Sequence, residues 1–503
     1  MKRKILKQIC ASHNKELHSQ FDKLKSNYQY LFKFEDLFDN FSNSTKVILK
    51  NIIKASHIPN NTKDTLLHLL EEEAKDPIII GITGTVGKTS TAYLLTQYIK
   101  ALGKKVTLLS SASFDLPISR ITKDICMPVP IQSNNYLKNF LQLSLDYNSD
   151  YIIIEVAEEA LRNNRLQDIP FDIKVLTHFW HNWMEGVLTN EKYLETKSSF
   201  FTNEKDVKYF YHVSSENLSH FIGKANNPIL YGSKYNSNGI TSDNIQYRLK
   251  EFFATFKKQY IEIQTPKEVV TLRTTSIYNS ASVQNICGVI SILDYLGILN
   301  TSLLEETLNK TEIPGRKVIN INNRTIVITQ SYLNDIFLFK ELLDNEMNTE
   351  SLEKLGEIYT NEYNNIIVVD GITGWSSLWD NAAPSEEDFL NDLAKNYPIY
   401  YNSKSKAFPL VDRYYITNVN PGACNKEKLL NFVEQALKES GKPLTKISNR
   451  KECLRQVILD SQPGDVIFIS GRASFDVYQD GDNTLFFTDE EVIRKFLEDL
   501  KWL

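Results

Sequence analysis

Nothing in this sequence pairs two cysteines. Its five, Cys10, Cys126, Cys287, Cys424 and Cys453, are scattered through 503 residues with no C-x-x-C spacing. That argues against a disulfide framework or a zinc ribbon and favours a reducing, cytoplasmic setting. Histidine is sparse too: all eight fall at or before His220, so the C-terminal half holds no histidine catalyst. No apolar run is long enough to span a bilayer. Met1-Lys2-Arg3-Lys4 has the charge of a leader's start, but Lys7 follows Ile5-Leu6 at once and leaves no apolar h-region. A formal net charge of −5 supplies no basic excess, so neither nucleic acid nor a membrane is an expected partner. No repeat of solenoid period is present.

What is present begins at Asp76-Pro77. The run Ile78-Ile79-Ile80-Gly81-Ile82 reads as a buried strand. It ends in Thr83-Gly84-Thr85-Val86-Gly87-Lys88-Thr89-Ser90 and continues into a stretch with helical spacing through Ile99. Strand, glycine-punctuated turn and helix are the context of a phosphate loop. Gly84 and Gly87 let backbone N–H groups converge on one anion, and the helix start adds its positive dipole end. Lys88 supplies a mobile charge for phosphates, and the Thr89 hydroxyl can ligate Mg²⁺. The spacing departs from the standard G-x4-G-K-[ST]: Gly81 comes one residue early and Ile82 stands where the first glycine belongs.

The length allows about two to four domains. Residues 1–74 carry helical apolar stripes, such as Tyr30, Leu31, Phe34, Leu37 and Phe38, and are expected to form a small helical domain. From 75 to 312, strands and helices alternate, which predicts an α/β domain with a parallel sheet. Its further strands are expected at Lys105–Leu109, Tyr151–Val156 and Lys174–Thr177, an antiparallel ribbon over 246–275, and a closing helix from Ser280 to Leu299. Functional groups of such sheets gather at strand C-termini, which brings Glu155, Thr177 and His178 to the edge of the phosphate loop. Ile313-Pro314-Gly315-Arg316 marks a boundary. A second α/β unit over 313–503 follows, with strands near Thr325–Thr329, Ile366–Asp370, Arg413–Thr417 and Asp465–Ser470, a hairpin over Val477–Phe487, and a last helix capped by Thr488.

These motifs, in this order, resemble the Mur ligases, ATP-dependent enzymes that join a carboxylate to an amine. The resemblance runs from about Pro77 to the C-terminus. Thr83-Gly84-Thr85-Val86-Gly87-Lys88-Thr89 resembles the family's T-G-T-N-G-K-T, which accounts for the unusual spacing. Glu155-Val156-Ala157-Glu158-Glu159-Ala160-Leu161 resembles E-V-S-S-H-A-L, and Tyr193 to Lys197 resembles the Y-x-x-x-K segment whose lysine is carbamylated. Tyr278-Asn279 resembles the F-N pair near adenine, Pro314-Gly315-Arg316 the P-G-R that opens the third domain, and Asn420-Pro421 half of D-N-P-R. Asp465 to Gly471, then Tyr478-Gln479, resembles the final strand and hairpin. The nearest branch is the one that adds the third amino acid to a UDP-muramoyl peptide.

The resemblance implies a central P-loop domain, a Rossmann-like C-terminal domain and, as cofactors, ATP and Mg²⁺. It implies that Thr85, Gly87, Lys88, Thr89 and Ser90 line the phosphates and that Asn279 meets the adenine. Thr89 would hold a first Mg²⁺. Glu155 and carbamylated Lys197 would hold a second, and Arg316 would reach the γ-phosphate. The family's D-H histidine falls on Asn182-Trp183, so His178 or His181 would have to replace it as metal ligand. Other departures fall on substrate contacts. D-N-P-R ends in Gly422, G-K-G-H-E has become Gly471-Arg472-Ala473-Ser474-Phe475, D-Y-A-H has become Thr329-Gln330-Ser331-Tyr332, and the T-T-P region is Met127-Pro128-Val129-Pro130. The first 74 residues lack the β-rich segment by which this branch grips UDP. Glu158-Glu159 is read as a solvated helix start, although two carboxylates there could meet a cationic substrate.

The expected activity is amide-bond formation: a carboxylate is activated as an acyl phosphate and attacked by an amine, releasing ADP and phosphate. The carboxylate is expected to be a small molecule or peptide without UDP and the acceptor an amino acid or other amine, the protein acting as a monomer or homodimer. Two alternatives stand beside it: the peptidoglycan-precursor ligase with a divergent first domain, and a nucleotide-binding regulatory protein with a decayed site.

Overall fold

The structure, a computed structural model, describes residues 76–110, 114–115, 134–166, 168–180, 190–233, 241–254, 258–274, 280–329, 333, 336, 363–374, 385–472, 477–481 and 483–502. The expected helical domain over 1–74, the Met127–Pro130 segment, His181, Asn182-Trp183, Asn279, Gln330-Ser331-Tyr332 and Ala473 to Phe475 lie outside these residues.

The described N-terminal part is built on one ten-stranded sheet. Its strands are β1 (Ile78–Thr83), β2 (Val106–Leu109), β3 (Phe114–Asp115), β4 (Tyr151–Glu155), β5 (Ile173–Leu176), β6 (Lys208–His212), β7 (Ile229–Ser233), β8 (Tyr247–Ala254), β9 (Gln259–Gln264) and β10 (Val269–Thr274), in spatial order β10-β9-β8-β7-β6-β5-β1-β4-β2-β3. From β2 to β8 the pairs are parallel; β2–β3, β8–β9 and β9–β10 are antiparallel. The ribbon expected over 246–275 therefore exists, but it extends the parallel sheet instead of standing apart from it.

The helices of this part are α1 (Lys88–Ala101), α2 (Asn134–Asp146), α3 (Glu158–Arg162), α4 (Asn190–Ser198), α5 (Leu218–Ile222), α6 (Ser280–Tyr295) and α7 (Thr301–Lys310). They cover both faces of the sheet, which is why β1 is apolar almost throughout. Ile79 joins one core with Phe171, Phe200 and Tyr193; Ile80 and Ile82 join the other with Leu95, Tyr98 and Ile286. Burying one such isoleucine stabilises by about 1.5–3 kcal/mol. Gly81 has no room for a side chain: a Cβ would lie 2.5 Å from Phe200. Tyr98 fastens α1 to the end of the domain by donating to the Ile298 carbonyl at 2.7 Å and accepting from Asn300 N at 2.7 Å. The closing helix ends at Tyr295, short of Leu299, because the chain turns at Gly297 with φ 69°.

Ile313 and Arg316 close a tight turn with Gly315 at φ 67°, at the expected boundary. Beyond it lies a six-stranded sheet of β11 (Lys317–Ile321), β12 (Arg324–Ile328), β13 (Ile366–Asp370), β14 (Arg413–Ile416), β15 (Leu444–Lys446) and β16 (Val466–Ile469), in order β11-β12-β16-β13-β14-β15. All its pairs are parallel except β11–β12. The helices α8 (Glu386–Lys395), α9 (Tyr397–Ser405), α10 (Lys426–Lys438), α11 (Arg450–Asp460) and α12 (Asp489–Asp499) accompany it, with a separate hairpin of β17 (Val477–Asp480) and β18 (Asn483–Phe486). Thr488 caps α12 with a full capping box. Asp489, in the first turn of α12, accepts from the fully buried Arg450 at 2.7 Å and lies 3.5 Å from Arg472.

Candidate active site

The phosphate loop leaves β1 where the chain order of the sheet reverses, between β4 and β5. Parallel α/β sheets bind ligands at such a switch point. Gly84 has φ 147° and Gly87 φ 89°, values that L side chains rarely adopt. A Cβ on Gly84 would lie 2.1 Å from Thr177 Oγ1, and one on Gly87 2.2 Å from Asn285 Oδ1. The loop is held from below. Thr85 N and Val86 N donate to the His178 carbonyl at 2.8 and 3.2 Å, and the Thr177 hydroxyl is 2.7 Å from the Val86 carbonyl. The helix begins at Lys88, so Lys88, Thr89 and Ser90 form its first turn.

Thr89 Oγ1 donates to Glu155, 3.0 Å from each carboxylate oxygen. Glu155 is the last residue of β4 and is buried. Lys88 Nζ turns back to the Thr85 carbonyl at 3.0 Å. Burial lowers its pKa; the Glu155 carboxylate opposes the shift, and the positive charge of Arg316 adds to it. Arg316, which directly precedes β11, thus acts electrostatically on the loop lysine while donating to the Gly315 carbonyl at 3.0 Å.

Lys197, in the last turn of α4, is only 1% exposed, although its sequence neighbours are Glu195, Thr196 and Ser198. Its Nζ lies 3.4 Å from Thr83 Oγ1 and 5.6 Å from the centre of the Tyr193 ring. Burial first, then the Lys88 charge, push it down to about 7, against the pull of Glu158, Glu159 and Glu155. Burial and the neighbouring Lys88 charge thus both favour the neutral amine. Tyr193 ties α4 to the loop: its OH lies 3.1 Å from Thr85 Oγ1.

Glu159 corrects the reading of α3 as a solvated start. Burial and then the Glu158 charge raise its carboxyl to about 7, against Arg162, Lys197 and Arg165. Glu158 accepts from Arg162 Nε at 2.9 Å.

The structure therefore gathers Thr85, Gly87, Lys88, Thr89, Glu155, Lys197 and the field of Arg316 at one rim, with Ser90 beside them on α1. It also adds Asn285, a residue that motif reading passed over. The available signal was an asparagine among the apolar positions of α6, beside Ile286 and Cys287. His178 stands at the same edge, but its ring faces His212, 5.2 Å away between centroids. A carboxylate and a hydroxyl in contact are hard oxygen donors suited to Mg²⁺, whereas a protonated lysine is not. Among the described residues no group of three or more His, Cys, Asp or Glu side chains converges as a metal site. No described helix is long and apolar enough to cross a membrane.

Residues 82–292 match the Mur ligase middle domain. The UDP-N-acetylmuramoyl-L-alanyl-D-glutamate–2,6-diaminopimelate ligase of Caldanaerobacter subterraneus subsp. tengcongensis is 23% identical over 434 residues, spanning 83% of this chain and 78% of that protein. Among solved structures, MurF ligase from Thermotoga maritima in complex with ADP aligns with a TM-score of 0.51 at 15% identity, covering 89% of this chain and 87% of that one. MurF from Acinetobacter baumannii gives 0.55 at 12% identity, covering 85% and 78%. The resemblance read from the motifs is borne out, and the fold is the α/β architecture of these ligases.

Proposed function

With its middle built as a Mur ligase domain, we propose that this chain is an ATP-dependent ligase that joins a carboxylate to an amine and releases ADP and phosphate. The observation that carries the reading is the gathering of Lys88, the Thr89–Glu155 pair, Lys197 and Arg316 around one glycine-shaped loop. Bringing a triphosphate against a carboxylate requires neutralised like charges, and these residues supply that setting. The loop N–H groups and Lys88 hold the phosphates, and Arg316 presents a guanidinium from the far side of the boundary. Asn279, which lies outside the described residues, takes the adenine.

Thr89 and Glu155 would hold Mg²⁺, and Lys197 would join Glu155 as a ligand once carbamylated; bound there, the ions would neutralise phosphate and carboxylate oxygens. The pKa of Lys197 near 7 supports this reading, because only the neutral amine takes up CO2. His181, outside the described residues, remains the proposed replacement for the family's metal-binding histidine. His178 packs beside His212, with ring centroids 5.2 Å apart.

The substrates we propose are a small-molecule or peptide carboxylate without UDP and an amino acid or other amine. The lack of a β-rich segment in the sequence of residues 1–74, and Gly422 in place of an arginine, support this. The decisive experiment incubates the protein with ATP, Mg²⁺ and a panel of acids and amines that includes a UDP-muramoyl peptide. ADP is quantified and products are identified by mass. ADP with a UDP-free amide is expected. Turnover of the UDP-muramoyl peptide would move the chain to peptidoglycan synthesis. AMP with pyrophosphate, or nucleotide binding without any ADP, would overturn the ligase reading.

A further inference from the structure

The segment after β5, from Thr177 to Trp180, holds the phosphate loop from below. Trp180 is its last described residue. Its N–H donates to Thr85 Oγ1 at 3.1 Å, and that hydroxyl donates to the Trp180 carbonyl at 3.2 Å. The residue before it is fixed as well. Phe179 N donates to Ser215 Oγ at 3.1 Å, and the buried Phe179 ring stacks on Tyr193 at 5.4 Å between centroids. The backbone of Trp180 is thus tied to the loop, while the residue as a whole is only half-buried.

The indole meets a cation from the other sheet. Lys406 directly follows α9, between two anchored neighbours. Lys404 Nζ donates to Asp370 Oδ2 at 2.6 Å, a buried ion pair with the last residue of β13. Ala407 is fully buried, and its N donates to the Lys404 carbonyl at 3.0 Å. Lys406 itself is exposed, and its Nζ stands 5.8 Å from the centre of the Trp180 ring, within cation–π range. Two anchored backbones, one in each α/β unit, therefore meet through one ammonium and one ring.

We propose that Trp180 and Lys406 form a positioning pair, a cation–π contact that seats the C-terminal sheet on the segment holding the phosphate loop. Its fixed points are Thr85 in the loop and Asp370 at the end of β13, one of the two central strands of the second sheet. Both stand at the carboxyl ends of strands, where α/β sheets collect their ligands. The pair therefore sets the spacing between two ligand-bearing edges. An exposed cation–π contact shifts such a two-state balance about two- to fivefold, enough to tune closure without locking it. The docking does not rest on the ligase reading; its effect on nucleotide affinity does.

The full chain labelled with 5-fluorotryptophan carries five ¹⁹F probes, and Trp180→Phe identifies the resonance of Trp180. Without nucleotide, Lys406→Met should shift that resonance and leave the other four in place, which also shows that the variant is folded. Lys406→Arg keeps a cation over the ring and should shift it less. Lys451→Met removes a cation 4.3 Å from the Phe487 ring, inside the C-terminal unit, and should not move it. Calorimetry with a non-hydrolysable ATP analogue and Mg²⁺ should show affinity about two- to fivefold lower in Lys406→Met and in Trp180→Leu, and no lower in the double variant. Lys406→Arg should restore it. A Trp180 resonance indifferent to Lys406→Met would overturn the contact. Losses that add in the double variant, or affinities unchanged in both single variants, would overturn the positioning role. A shifted resonance in a protein that binds no nucleotide would uphold the docking and count against the ligase reading alone.

Discussion

The Thr89 hydroxyl lies 3.0 Å from both oxygens of Glu155, joining the first turn of α1 to the last residue of β4. A cation entering here must displace that hydrogen bond and replace it with two oxygen contacts. Thr89→Val and Glu155→Gln should therefore each reduce ADP formation on the order of 10²-fold or more, with a raised Mg²⁺ requirement. Rates measured across a Mg²⁺ titration check this; unchanged rates in either variant would remove the pair from the metal site.

Lys197→Met separates chemistry from stability. The folded pKa of about 7 lies below the ordinary lysine value, so between about pH 7 and about 10.5 the unfolded chain binds the extra proton and stability rises with pH. Below 7 the cost of burying the charged amine is fully present. The methionine variant should lose activity yet melt at least as high as wild type at pH 6. In Lys197→Ala, short carboxylic acids should restore part of the rate. A lower melting temperature for the methionine variant at pH 6 would contradict the burial argument.

Glu159 titrates in the adjoining window with the opposite sign. Its folded pKa of about 7 exceeds the ordinary carboxylate value, so stability falls as pH rises from about 4.5 to about 7, and the cost is full above 7. Glu159→Gln should raise the melting temperature at pH 8 relative to wild type and change it less at pH 5. Thermal scans at both pH values decide it.

Gly87→Ala places a methyl group 2.2 Å from Asn285 Oδ1 at φ 89°, a backbone conformation costing a non-glycine residue about 1–3 kcal/mol. ADP affinity by calorimetry should fall at least tenfold. Adding Asn285→Ala should recover part of the loss by relieving the contact but not the backbone strain. No recovery would mean that the torsion alone sets the effect.

Asp489→Asn would leave Arg450 and Arg472 buried without their shared carboxylate. Breaking a buried ion pair from one side costs about 3–5 kcal/mol, so urea unfolding should show a loss of that size. A neutral outcome would indicate that the surrounding carbonyls of Ser470, Val419 and Phe487 suffice.

Much of this architecture could be read from local pattern. The isoleucine run of β1 and the Thr488 cap of α12 each carry their signal within a few residues. Local pattern did not reveal β3, β6, β7, β11 or β15. Lys208–His212 packs aromatic residues on both faces and shows no alternation, and β11 follows directly on the Pro314-Gly315 break. At the site, the loop residues were legible because the Gly-Lys-Thr order is itself the chemistry. The burial of Lys197 was not, since an amine among polar neighbours looks solvated until Tyr193 and the sheet edge close around it. The His178–His212 pairing depends on strand adjacency, which spacing along the chain does not encode.

One hydroxyl contact has a mechanical corollary. Thr85 belongs to the phosphate loop, and its partner Tyr193 lies one helical turn before Lys197 on α4. The loop and the helix that carries the buried Lys197 are therefore joined through this hydroxyl pair. Tyr193→Phe would uncouple the two, so that nucleotide could settle without repositioning Lys197.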